Sequence, residues 1–204
     1  MNQIEALRRL RDLGSRGFET RDAAALLQVT AANANALLRR LAGSRLITHL
    51  ARGRWTVGHE VPRFALPELL SAPYPAYVSL QSALFHHGLV EQIPSVVYAV
   101  TLARPRRVET PLGVVSFHRI PPILFTGFEL DRASDAKVAT AEKALFDVLY
   151  LGPARSRLFA ALPELEWPPR FDWRQLDHYG ALVQSESRRA FIAERIARLR
   201  RSHV

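Results

Sequence analysis

Cysteine is absent from the chain. That excludes a disulfide framework and any thiolate metal site, and it fits a reducing compartment. No uninterrupted apolar run approaches the roughly 20 residues that a membrane-spanning helix needs. The opening Met1-Asn2-Gln3-Ile4-Glu5 lacks the basic-then-apolar order of a signal peptide. The expectation is a soluble cytoplasmic protein that makes no membrane contact. Glycine-rich phosphate loops are also missing, which removes the commonest nucleotide-binding signature. Lysine is scarce: of 28 basic residues only Lys137 and Lys143 are not arginine.

What is present is apolar content and positive charge. Nearly half of the 204 residues are apolar, too many for a disordered chain and enough for one large or two small cores. The formal charge is +9. Residues 1–60 hold ten arginines against five acids, and residues 61–204 hold 18 basic residues against 14 acids. The smaller part has over twice the charge density, and a positive field of that kind draws in polyanions.

Residues 20–57 carry the most organised pattern. Ile4, Leu7 and Leu10 recur at helical spacing in a first helix that ends near Gly14. Thr20 is expected to cap a second helix through Leu27, and Thr30 a third from Ala31 to Ala42. Leu46-Ile47 then leads through Ala51-Arg52-Gly53-Arg54 into Trp55-Thr56-Val57. Helix, tight turn, helix, strand, basic turn and strand is the order of a winged helix-turn-helix. Stepping 100° per residue puts Ala34, Leu37, Leu38 and Leu41 on the buried face of the third helix. The opposite face carries Ala32, Ala36, Arg39 and Arg40, flanked by Asn33 and Asn35.

Those residue types suit double-stranded DNA. Small residues let the backbone sit deep in a major groove. Asparagine offers the donor and acceptor that adenine edges need, and arginine matches guanine or phosphate. Arg52 and Arg54 flank Gly53 at the wing tip, where they are expected to reach the backbone or minor groove. With Thr30 at the turn, Ala32, Asn33, Asn35, Ala36, Arg39, Arg40, Arg52 and Arg54 form the predicted DNA-binding set. The competing readings are a plain solvated basic face and a winged helix used for protein contact.

Gly58 to Pro62 reads as a linker, so the division is a DNA-binding domain over 1–60 and a second domain over 63–204. The second region mixes elements without a βαβ rhythm, which makes the fold class α+β. Ser79 is placed as the cap of a helix through His87, and Val96 to Leu102 as a strand. Arg107–Glu109 and Val114–Ile120 are expected to form a hairpin about Thr110-Pro111-Leu112-Gly113. Helices are expected over Ala141–Leu151, Asp172–Tyr179 and Ser185–Arg201. Arg104, Arg106 and Arg107 form a basic run, read as a solvated face or as a secondary contact for nucleic acid or a partner.

Constellations that could support catalysis are thin. Asp131, Asp135 and Lys137 contain an Asp-x-Lys spacing known from metal-dependent nucleases, but they read as a solvated loop before a helix. His86 and His87 are adjacent and diverge on a helix, without further ligands at metal spacing. Ser116 and His118 share a strand face with no acid to complete a triad. Lys143 and Asp147 read as an ordinary i,i+4 pair, with Glu142 in the first helical turn. No enzyme activity, metal or cofactor is expected.

Several blocks in order carry a family resemblance. Tyr77-Val78-Ser79-Leu80-Gln81-Ser82-Ala83-Leu84, His87-Gly88-Leu89, Gln92-Ile93-Pro94, Arg107-Val108-Glu109-Thr110-Pro111-Leu112-Gly113 and Ala141-Glu142-Lys143-Ala144-Leu145-Phe146-Asp147-Val148-Leu149-Tyr150 resemble the AbiEi-type antitoxins. The resemblance covers about residues 77–151 together with the N-terminal winged helix, and leaves out the last 50 residues. Ala141 departs from the family's frequent proline, a change in the first helical turn that costs little. The resemblance implies the antitoxin of a type IV toxin–antitoxin or abortive-infection pair. Its N-terminal domain would repress the operon at inverted repeats, and its C-terminal domain would neutralise a nucleotidyltransferase-like toxin. The alternative is a stand-alone transcriptional regulator whose C-terminal domain senses a ligand or partner.

Overall fold

The computed structural model describes residues 2–58, 60–152 and 164–202. The chain is a mixed α+β protein with two hydrophobic cores. The smaller core joins α1 (Gln3–Asp12), β1 (Gly17–Glu19), α2 (Thr20–Leu27), α3 (Ala31–Gly43), β2 (Ile47–Ala51) and β3 (Arg54–Val57). Asn2 caps α1 by accepting from the Ile4 amide, and Gly14 takes φ +64° just past the helix end, as the leucine periodicity predicts. Thr30 caps α3 by accepting from Asn33 N.

The cap of α2 differs from expectation. Glu19, not Thr20, is the N-cap, and it forms a reciprocal box with Asp22. Thr20 Oγ1 instead accepts from Trp55 Nε1 at 2.9 Å. Gln28 ends α2 in the left-handed region at φ 54°, so the chain turns into α3 within three residues. The strands form a three-stranded antiparallel sheet in the order β1-β3-β2, with β1 an addition to the predicted pair.

The larger unit contains α4 (Leu66–Ser71), β4 (Ala76–Val78), α5 (Leu80–His86), β5 (Val97–Thr101), β6 (Arg106–Thr110), β7 (Gly113–Arg119), β8 (Phe128–Asp131), β9 (Ala136–Ala139), α6 (Ala141–Leu151), α7 (Trp173–Ala181) and α8 (Glu186–Ser202). Its strands form one mixed sheet in the order β6-β7-β5-β4-β9-β8, with β7–β5 and β4–β9 parallel. The β6–β7 hairpin turns between Thr110 and Gly113, as expected. The stretch around Asp131 and Asp135, expected as a loop, is the β8–β9 hairpin. Helices α5 and α6 pack together, and α7 and α8 cover α6. Ile192 and Ile196 of α8 are buried and Leu199 packs partly on the same core, as their spacing predicts.

The two units are in direct contact. Register shifts by one residue between His49 and Ala51 of β2. Leu50, the residue at this bulge, is 2% exposed and belongs to the larger core. Arg54 Nη1 donates to Leu69 O at 3.1 Å, and its Nη2 donates to Ala72 O and pairs with Glu19. Arg16 reaches Ser134 O and Asp135. β1 runs so close to α4 that a Cβ on Gly17 would lie 2.8 Å from Leu69 Cδ2. Arg54→Ala removes charged donors from two carbonyls and is expected to cost about 1–3 kcal/mol in urea unfolding. Arg52→Ala, two positions away on the exposed turn, is expected to stay within about 0.5 kcal/mol.

Candidate nucleic-acid interface

A groove of about 600 Å³ opens between α3 and the β2–β3 hairpin. Ala31, Asn35, Arg39 and Ala42 supply the helix side, since steps of three and four residues fall on one stripe. His49, Arg52, Gly53 and Trp55 supply the hairpin side. The geometry is preset from below. The hairpin turns in two residues, Arg52 and Gly53, with Gly53 at φ +71°. Gly53 O accepts from Thr20 N at 2.9 Å, which fixes the turn over the start of α2. Trp55 is buried against the smaller core, and its ring lies 4.5 Å from that of exposed His49.

The electrostatics follow from which arginines are neutralised. Among the described residues, no carboxylate lines the groove, and neither Arg39, Arg40 nor Arg52 has an ion-pair partner. All three are exposed. Of the predicted DNA-binding set, Asn35, Arg39 and Arg52 converge on the groove. Ala32, Asn33, Ala36 and Arg40 are exposed on the adjoining stripe of α3, and the Thr30 hydroxyl is spent on the helix cap.

Arg54 is a correction. Its side chain is 19% exposed, and its guanidinium turns back onto the α4 carbonyls and Glu19 instead of outward from the hairpin. Within β3 it alternates with Trp55, which lines the groove, so Arg54 takes the other face, a distinction that two arginines flanking Gly53 do not reveal. His49 was missed. It is the exposed polar residue of β2, paired in register with Trp55, and a bulge that the sequence does not announce follows it.

The second basic run also divides. Arg107 pairs with Glu109 at 3.5 Å on its own strand. Arg106 donates to Leu70 O at 2.8 Å and lies over the Phe117 ring, while Arg104 has no partner among the described residues.

A different polar cluster lies at the centre of the larger core. Lys143 and Asp147 form the expected i,i+4 pair, and both are fully buried. Asp147 accepts from Lys143 Nζ, from Tyr77 OH at 2.9 Å and from Ser79 Oγ at 2.7 Å. Ser79 is the N-cap residue of α5, as expected, but its hydroxyl goes to Asp147 of α6 and makes no capping bond. The Lys143 ammonium also lies 5.0–5.7 Å from the ring centres of Phe146, Tyr77 and Tyr179. Burial lowers the Lys143 pKa against the pull of Asp147, and raises that of Tyr77 well above the phenolic range. Tyr77 therefore stays a donor at neutral pH. Tyr77, Ser79, Lys143 and Asp147 are all fully buried, and their geometry is that of a core fastener.

The remaining candidates each have partners of their own. Asp131 accepts from Ser134, Asp135 pairs with Arg16, and Lys137 pairs with Glu68, so the three never converge. The rings of His86 and His87 meet edge to face; His87 Nε2 hydrogen-bonds Ala139 O while His86 faces Asp131 at 3.9 Å. Ser116 Oγ and His118 Nε2 are 3.1 Å apart. Among the described residues no cluster of histidines and carboxylates is suited to a metal, and no helix is long and apolar enough to cross a membrane. No family model and no curated protein matches the chain.

Two outcomes check this assignment of structural roles. Asp147→Asn leaves a buried lysine uncompensated and is expected to cost about 3–5 kcal/mol, more than the joint replacement Lys143→Met with Asp147→Leu. Burial lowers the His118 pKa to about 4 from its ordinary 6.5. The unfolded chain therefore binds the extra proton first as pH falls, so stability should decline between about pH 6.5 and pH 4. Chemical denaturation across that window should show a flatter pH profile for His118→Gln.

Proposed function

We propose that the chain is a winged helix-turn-helix DNA-binding protein that lays α3 in a major groove with the β2–β3 hairpin as its wing. The observation that carries this reading is the groove in which Asn35, Arg39, His49 and Arg52 converge with no carboxylate among them. Asn35 and Arg39 are the base-edge candidates; Arg52 suits phosphate, and His49 can donate to either. We further infer from the ordered blocks at 77–151 that the larger unit is an antitoxin domain of the AbiEi type. In that reading the chain represses its own operon at inverted repeats and counters a nucleotidyltransferase-like toxin. Two of those blocks supply Tyr77, Ser79, Lys143 and Asp147, the fastener of the larger core. The blocks therefore bear on the fold of that unit more directly than on its partner.

Fluorescence anisotropy with duplex from the region upstream of the gene tests the DNA reading. Arg39→Ala and Arg52→Ala are expected to weaken binding at least several-fold. Where the arginine neutralises a phosphate, its removal lowers the slope of log affinity against log salt by about 0.9. Unchanged affinity in both variants would remove the groove as the interface. Co-expression of the full chain with the product of the adjacent gene tests the antitoxin reading, with rescue of growth as the expected result. DNA binding without any toxin partner would favour the stand-alone regulator.

A further inference from the structure

A second concave site, of about 540 Å³, lies where the turn after α4 meets the β5–β6 connection and the end of β7. Three guanidiniums line it: Arg104, Arg106 and Arg119. No carboxylate does so among the described residues. Arg106 is held in place by its bond to Leu70 O at 2.8 Å and by the Phe117 ring 4.7 Å away. Burial, and then the nearby charge of Arg54, hold it below the usual arginine range. Arg104 and Arg119 are exposed and have no partner among the described residues.

The wall is preformed as well. Ser71 Oγ donates to Tyr74 O at 2.7 Å across the turn, and Ala72 O accepts from Arg54. The Tyr74 ring, 53% exposed, stands beside the arginines. Like charges gathered on a fixed wall without a counter-charge repel one another, and an anion relieves that repulsion. Arginine's planar fork suits phosphate oxygens in particular.

We propose that this pocket binds the phosphate group of a small phosphomonoester. A phosphomonoester carries about −1.5 to −2 charge at neutral pH and three acceptor oxygens, which matches three arginines around a concavity. A duplex phosphodiester offers one charge, on a convex rod. The pocket is separate from the α3 groove, and the proposal does not depend on the DNA reading.

Calorimetric titration of the full chain with inorganic phosphate tests it. The expected result is saturable one-to-one binding that weakens about tenfold or more in Arg104→Ala and in Arg119→Ala. Arg107→Ala and Arg39→Ala should leave it unchanged, and phosphate should raise the melting temperature of the native chain but not of Arg119→Ala. Absence of saturable binding would overturn the proposal, as would binding indifferent to Arg104→Ala and Arg119→Ala. A parallel anisotropy series with duplex separates the sources. If Arg119→Ala flattens the salt dependence for DNA while free phosphate fails to bind, the pocket serves a nucleic-acid backbone and the small-ligand proposal falls. Loss of DNA binding in Arg39→Ala with phosphate binding intact leaves the pocket standing apart from the α3 groove.

Discussion

The Asp147 carboxylate is the constraint around which the larger unit is arranged. Every residue from Lys143 to Leu151 of α6 is buried, so the helix has no solvated face on which to place a charge. A carboxylate in that position must have its lone pairs filled or it opposes folding. Tyr77 and Ser79 fill them from β4 and its end, and Lys143 fills them from one turn earlier on α6. Together these bonds fix α6 against the middle of the sheet, because β4 lies between β5 and β9. Leu80, next to Ser79, takes φ 55° while fully buried. A leucine is strained there, and the surrounding packing sustains the conformation. Gly127 belongs to the same arrangement: at φ +76°, it would bring any Cβ within 2.4 Å of the Tyr179 hydroxyl. Tyr179 can then close over Lys143.

That framework extends to the smaller unit through the hairpin. Leu50 enters the larger core at a bulge, and Arg54 fastens β3 to the carbonyls around α4. The hairpin is therefore no loose arm. Neighbouring arginines on it have opposite tasks because strand alternation sends Arg54 inward while the turn leaves Arg52 outward. The α3 groove has one wall set by the smaller core and the other set by contact between the units.

How much of this was legible depended on whether the controlling interaction was local. The periodicity of Ala34, Leu37, Leu38 and Leu41 and the Thr30 cap act within one helix, and α3 follows them closely. The hairpin at Thr110–Gly113 is also a local event, set by turn geometry. β1, β4, β8 and β9 have three or four residues each, too few for alternation to show, and they exist because neighbouring strands pair with them. Thr20 looked like a cap, but Trp55, 35 positions on, claims its hydroxyl, and Glu19 with Asp22 does the capping. The pairing of Lys143 and Asp147 is legible in their i,i+4 spacing, but the spacing says nothing of burial. The signal for burial is the unbroken apolar run Val148-Leu149-Tyr150-Leu151 after Ala144-Leu145-Phe146, which leaves such a helix no outer face. For the candidate site, Asn35, Arg39 and Arg52 followed from helix phase and turn position. Arg54 depended on which face of β3 it occupies, and His49 on its place beside the bulge in β2.

The same distinction governs what the net charge means. A formal +9 spread evenly would give only a diffuse attraction, and in the smaller unit much of it is cancelled locally. Arg8 and Arg9 face Glu5, Arg21 and Arg54 face Glu19, and Arg16 faces Asp135. Arg11 sits in the last turn of α1, where the helix dipole favours a cation. The uncompensated arginines that remain at α3 and the hairpin tip are Arg39, Arg40 and Arg52, on or beside a concave surface lined by Asn35 and His49. Low charge compensation there has no role in stability, since like charges close together oppose the fold. The acids are placed where arginines are needed for structure, and they are withheld where α3 and the hairpin face outward. That partition, more than the total charge, makes this groove the part of the smaller unit suited to a polyanion.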